Sequence, residues 1–162
     1  LELTERVFAD DLELVQRNIS QFSQMGVQTA IDDFGVGVTL TNFVESLKAL
    51  TAATIQYEDL TKHDQTKITS HQSINLFRIC QELINNSLKH SNAKNIRITL
   101  SEFDEFISLF YFDDGIGFDE KKVTLGSGII NIKERVEICN GKIVINSATG
   151  NTTFEIELPV EL

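Results

Sequence analysis

The sequence predicts a two-layer α/β sandwich, a mixed sheet covered on one face by helices, with a short βαβ extension at its N-terminal end. Three observations carry this. Of the 162 residues, 41% are hydrophobic and 23% charged, which suits one packed domain with a modest attachment. Helix-period and strand-period runs follow one another along the chain. Two strand pairs, at 96–113 and 142–158, each lack an intervening helix, so the sheet is not purely parallel.

The elements justify themselves in order. Leu1-Glu2-Leu3-Thr4 alternates with the strand period. Asp10 or Asp11 caps a helix with apolar positions Leu12, Leu14, Val15, Ile19 and Phe22, and Gly26 ends it. The apolar run Val27–Ile31 reads as a strand, with Asp32-Asp33-Phe34-Gly35 at its C-terminal end. Thr39–Leu50 reads as a helix with Leu40, Phe43, Val44, Leu47 and Leu50 on one face. Ala53–Glu58 follows as a strand, Thr61–Ser70 as a polar loop, and Gln72–Ser91 as a long helix. Ile96–Leu100 and Ile107–Asp113 are strands joined by an acidic turn at Asp104. Asp114–Leu125 is loop-like, and Ile129–Cys139 is a helix stopped by Asn140-Gly141. Lys142–Ser147 and Thr152–Leu158 form a last hairpin.

A net charge of −10 weighs against nucleic acid and anionic membrane as partners. An anionic nucleotide on such a chain needs a metal ion and local donors. Cys80 and Cys139 have no metal-type spacing and read as two buried thiols of a reducing, cytoplasmic compartment. No apolar run reaches a membrane span and no signal peptide is visible. The chain starts at Leu1 with Met25 as its only methionine, which suggests an excised segment.

Three clusters could carry chemistry. Glu82, Asn86 and His90 are spaced i, i+4, i+8 on one helix face. An amide oxygen is a hard ligand suited to Mg²⁺, and a carboxylate beside it can orient a metal-bound water. Taken alone, the same stripe reads as an ordinary solvated face. Asp113-Asp114-Gly115-Ile116-Gly117 closes an apolar strand, so the Asp113 carboxylate is expected partly buried and in need of a donor. The exocyclic amine of adenine is one such donor, and Gly115 and Gly117 leave room for a flat base or a phosphate. A glycine turn with a solvated aspartate is the plainer reading. Gly126-Ser127-Gly128 precedes a helix, where free backbone amides suit phosphate, although a plain helix-entry loop has the same form. Lys121, Lys122 and Lys133 add charge nearby or are simply solvated, and Arg135 is a candidate brace.

The order of these pieces is more specific than any one of them. With the final strand Thr152–Pro159, it resembles the ATP-binding domain of sensor histidine kinases, within the superfamily shared with gyrase-type and chaperone ATPases. The stretch Phe77-Arg78-Ile79-Cys80-Gln81-Glu82-Leu83-Ile84-Asn85-Asn86-Ser87-Leu88-Lys89-His90 is the most telling. The resemblance covers about residues 39–162 and implies a Bergerat-type ATPase domain at 38–162 that binds ATP and Mg²⁺. It implies that Asn86 holds Mg²⁺, Glu82 positions a water, and Lys89 or His90 lies near phosphate. Asp113 would read adenine, with Gly115, Gly117 and Thr152 around the base. Gly126 and Gly128 would approach the phosphates, and the loop between Phe118 and Leu125 would act as a lid. Asn151 and Ile129 depart from the family's usual glycine and leucine.

Residues 1–37 resemble something else, two strand–loop units of an EAL-type cyclic-di-GMP phosphodiesterase barrel. That resemblance would make Glu5, Asp32 and Asp33 metal ligands, and it suggests a chimera. A slice cannot close a barrel or gather a full ligand set, so these acids read as solvated strand ends and phosphodiesterase activity as remote. The strand at Val27–Ile31 must then bury against the ATPase sheet or across a homodimer. The phosphoacceptor-histidine signature of the kinases is not found; His63-Asp64 lies in a polar loop without the expected flanks. The reading is therefore an ATP-binding domain that does not autophosphorylate alone and needs a dimerisation and phosphoacceptor segment in trans. An inactive scaffold is the alternative.

Overall fold

A computed structural model describes residues 13, 14, 17, 26–62, 67–124 and 127–160. The expected strand at Leu1–Thr4 and the pair His63-Asp64 lie outside these, as do Glu5 and Gly126. Of the expected first helix only Glu13, Leu14 and Arg17 are described, and they are helical.

The structure departs most from the expected elements at residues 27–31. Val27–Ile31 is not a strand but the start of helix α1, Val27–Lys48. Val27 and Ile31 are one helical turn apart and both are buried, while the residues between them are not. The Gln28 amide donates to Asp32 at i+4, 3.0 Å away, and the Ser70 hydroxyl donates to the same carboxylate at 2.8 Å. Those bonds, Gln28 first, hold Asp32 below the usual carboxylate range. Asp32 and Asp33 are thus exposed helix residues rather than strand-end acids, and the βαβ extension lacks its second strand. Gly35 breaks the regular path of α1 at φ 82°, a conformation that favours glycine, and the Thr39 hydroxyl caps its freed carbonyl at 2.8 Å.

Beyond the break, Leu40, Phe43, Val44 and Leu47 bury as the periodicity predicts. Strand β1, Thr54–Leu60, follows. Helix α2, Ser70–Asn86, starts two residues before the expected Gln72, at the last residue of the segment expected to be loop. A capping box explains the start: the Thr69 hydroxyl accepts from the Gln72 amide N–H at 3.1 Å, and the Gln72 side chain accepts from the Thr69 N–H at 3.0 Å. The helix runs on into a π-turn at Ser87–Ser91 and ends at Asn92 in the left-handed region, φ 51°.

Strands β2 (Asn95–Glu102) and β3 (Phe106–Asp113) then pair antiparallel. Helix α3, Gly128–Ile138, leads to the hairpin β4 (Lys142–Ala148) and β5 (Asn151–Pro159). The sheet order is β1-β2-β3-β5-β4, mixed because β1 runs parallel to β2 while the other pairs are antiparallel. One face supplies Ile96, Ile98, Leu100, Leu109, Tyr111 and Ile156 to the core, where the three helices cover them. On the other face Arg97 lies over the Phe112 ring, 5.9 Å from its centre. The two-layer sandwich is as expected.

Candidate functional site

Sheet register builds the inner end of the site. Asp113, the last residue of β3, stands directly opposite Thr152 on β5. Both face the helices and both are buried, at 4% and 2% exposure. A carboxylate this buried needs donors. It has two: the Ser87 hydroxyl to Oδ2 at 2.6 Å and the Gly115 N–H to Oδ1 at 2.9 Å. Ser87 in turn lies 2.7 Å from the hydroxyl of Tyr111, which also reaches the Leu83 carbonyl at 3.1 Å. Burial pushes the Tyr111 phenol well above its ordinary range, so it is neutral and carries its proton.

The outer end is built where α2 meets α3. Glu82 and Asn86, one turn apart on α2, face the first residue of α3 so closely that a Cβ on Gly128 would clash with the Glu82 carboxylate oxygen, 2.7 Å from its Cδ and 2.9 Å from the Asn86 amide nitrogen. A side chain there would displace the ends of Glu82 and Asn86. Ser127 occupies the N-cap position of α3 without capping it, and its buried hydroxyl has no hydrogen-bond partner among the described residues. Between the two ends lies a cavity of about 460 Å³. Glu82, Asn86, Lys89, His90, Asp113, Gly117, Gly128 and Thr152 all line it, so eight of the ten residues singled out in the sequence come together.

The other two differ. Gly126 is outside the described residues. Gly115 does not line the cavity; it lies behind it, where a Cβ would come within 2.5 Å of the Ser91 backbone oxygen and side chain. Its bareness lets the loop dock on the π-turn, a docking that the Ile116 N–H completes by donating to the Ser91 carbonyl at 2.8 Å. Gly117 has φ 73° and packs against Ala148 and Ser147, with a Cβ expected 2.9 Å from each oxygen. Both glycines therefore shape the loop, and Gly117 alone of the two borders the cavity.

Two of the nearby lysines are engaged with acidic side chains. Lys133 pairs with Glu120 at 2.7 Å, linking the short 3₁₀ turn Glu120–Lys122 to α3, and Lys122 lies 3.7 Å from Asp119. None of Lys121, Lys122 and Lys133 lines the cavity. Arg135 braces as expected, donating to the Asn75 side chain at 2.9 Å. Ser87, Tyr111 and Ser127 went unmarked in the sequence reading, although Ser127 lies inside the Gly-x-Gly that was noted.

Asp114, beside Asp113, has a structural task. Its carboxylate accepts the backbone N–H groups of Lys94 and Asn95 and the Asn95 side chain, at 2.8, 2.9 and 2.7 Å, pinning the start of β2. These bonds, the Asn95 side chain first, lower its pKa. A depressed folded-state pKa stabilises the fold above the unfolded-chain value, about 3.9, and the gain is lost as pH falls through the folded value. Asp114→Ala is therefore expected to lower the melting temperature at pH 7, with the gap to wild type closing below about pH 4. A gap that stays constant from pH 7 to pH 3 would contradict this.

The chain also matches known proteins in sequence and in fold. Residues 71–162 match the family model described as histidine kinase-, DNA gyrase B-, and HSP90-like ATPase. The histidine-protein kinase/phosphatase DegS of Brevibacillus brevis is 30% identical over 133 residues, covering 81% of this chain and 34% of DegS. The sensor histidine kinase ComP of Bacillus subtilis is 39% identical over 92 residues, covering 55% of this chain and 12% of ComP. The chain thus spans about a third or less of these two relatives. A solved histidine kinase domain from the Erythrobacter litoralis EL346 blue-light activated kinase shares the fold, with TM-score 0.65 and 14% identity over 96% of this chain and 91% of that one. With a family match over more than half of its length, the chain belongs to the histidine kinase-, DNA gyrase B- and HSP90-like ATPase family.

Proposed function

We propose that this cavity takes ATP with Mg²⁺ and that the chain serves as the catalytic domain of a two-component sensor histidine kinase. The observation that carries the proposal is the polarity of the cavity. A buried carboxylate and a buried hydroxyl, Asp113 and Thr152, lie at the sheet end, and an amide and a carboxylate, Asn86 and Glu82, lie at the helix end beside Gly128. The first pair suits the amine edge of adenine, and the second suits a hydrated Mg²⁺ beside phosphate oxygens. The unpartnered Ser127 hydroxyl at the N-terminus of α3 adds a donor on the phosphate side.

On this reading Asn86 holds the metal and Glu82 orients a metal-bound water. When bound, Mg²⁺ offsets phosphate charge, which matters in a chain of net charge −10. Asp113 accepts from the base, while Gly117 holds the loop beside it. Lys89 and His90 lie within reach of phosphate from the π-turn. The rest of the protein's chemistry belongs to the same proposal: phosphoryl transfer to a histidine on a helical dimerisation segment, in the cytoplasm, within a dimer. In such a transfer a domain of this kind positions and neutralises rather than reacts covalently.

Titration with a fluorescent ATP analogue, with and without Mg²⁺, tests the reading. Wild type is expected to saturate and to bind more tightly with Mg²⁺. Asn86→Ala is expected to lose most of that metal-dependent gain, roughly tenfold in Kd, with little change in the metal-free value. No saturable binding by a folded wild-type chain would leave the inactive-scaffold reading in its place.

A further inference from the structure

Ser87 and Tyr111 form a buried relay behind Asp113. From their geometry we propose that Ser87, oriented by Tyr111, is a positioning residue that sets the selectivity of the site for a purine bearing an exocyclic amine. The inference rests on the proposed reading of Asp113 as the group that meets the base.

The hydrogen-bond directions are fixed by the end groups. The Ser87 hydroxyl, 2.6 Å from Asp113 Oδ2, donates its single proton there. The Tyr111 oxygen is 2.7 Å from the same Ser87 oxygen. Ser87 has no second proton, so Tyr111 must donate to Ser87, sharing its proton with the Leu83 carbonyl at 3.1 Å. With Gly115 N–H on Oδ1, both carboxylate oxygens are pinned and the plane of the carboxylate is fixed. Each oxygen still has a second lone pair, and Asp113 lines the cavity. A fixed, acceptor-only group favours a ligand that donates at that point and penalises one that cannot. Ser87 is 2% exposed and Tyr111 fully buried. Both side chains also border the cavity. Removing the hydroxyl leaves Oδ2 unpinned and the carboxylate held only by the Gly115 N–H.

The test compares ATP with purine riboside triphosphate, which lacks the exocyclic amine. The readout is the ratio of their dissociation constants, measured on the full chain with Mg²⁺. A variant that is partly unfolded weakens both ligands by the same factor and leaves the ratio untouched, so stability effects cancel. Wild type is expected to favour ATP. Ser87→Ala is expected to reduce that preference roughly five- to tenfold, and Tyr111→Phe about two- to threefold. A Ser87→Ala ratio within about 1.5-fold of wild type would overturn the role of Ser87. An unchanged ratio in Tyr111→Phe alone would overturn the relay while leaving the serine its role. If wild type shows no preference, or if Asp113→Asn keeps the wild-type ratio, the reading of Asp113 as the base-contacting group has itself failed, a result separable from the others.

Discussion

Asp113→Asn is expected to weaken binding of the ATP analogue about 100-fold while leaving the fold intact. The substituted amide has nearly the same shape as the carboxylate, so packing is preserved. Its chemistry is not. Asp113 accepts on both oxygens, from Ser87 and from Gly115. An asparagine carbonyl can replace one of these acceptors, while its NH₂ must face either the Gly115 N–H, the Ser87 hydroxyl or the ligand. Gly115 N–H cannot turn, so the carbonyl stays with it. The NH₂ is then directed at Ser87 and the base, where it meets the exocyclic amine donor to donor. Losing a charged hydrogen bond and gaining that opposition amounts to about 2–3 kcal/mol, the basis of the 100-fold figure. The Ser87 hydroxyl can reverse and donate to Tyr111, so the melting temperature should move little. Binding within threefold of wild type would remove Asp113 from the site.

What the sequence made legible, and what it did not, separates by physical type. The strands carrying Ile98, Leu109, Tyr111 and Ile156 alternate with period two, and the sheet buries one side of each, so pattern and structure coincide. The polar face of α2 was readable because Glu82 and Asn86 are one turn apart. The start of α1 was not. A five-residue apolar run such as Val27–Ile31 fits a strand or the buried face of a helix equally well by periodicity. The structure buries Val27 and Ile31 on one helical face, with Gln28 and Ser70 bonding Asp32 on the exposed side. The capping pair Thr69 and Gln72 was present in the sequence, but Thr69 sat in a polar stretch read as loop, so the helix was started at Gln72. Ser87 and Tyr111 have no local signal at all, since a serine on a helix and a tyrosine in a strand acquire a joint task only when α2 is laid across β3.

Phe77→Ala is expected to be the most destabilising of the substitutions considered, by about 3–5 kcal/mol. Phe77 is fully buried, and its ring meets that of Phe43 edge-on, with centroids 5.4 Å apart and planes at 61°. This contact ties α1 to α2. The helix that carries Phe77 into the core carries Glu82 and Asn86 to the cavity, so the site is only as fixed as that packing. Domains of this size are stable by about 5–15 kcal/mol in all, so the loss is a large share of the total. It corresponds to a fall in melting temperature of roughly 6–20 °C. Phe34, also on α1, is 67% exposed and makes the control: Phe34→Ala is expected to stay within about 0.5 kcal/mol of wild type. Denaturant melts of the two variants check both numbers. If Phe77→Ala unfolds at the wild-type midpoint, the aromatic contact is not what fastens α1 to the domain, and the burial argument for the first segment falls with it. If it shifts as expected, ATP binding well below the midpoint should remain near wild type. Phe77 touches the core rather than the ligand, and a folded chain keeps Asn86 and Asp113 in place.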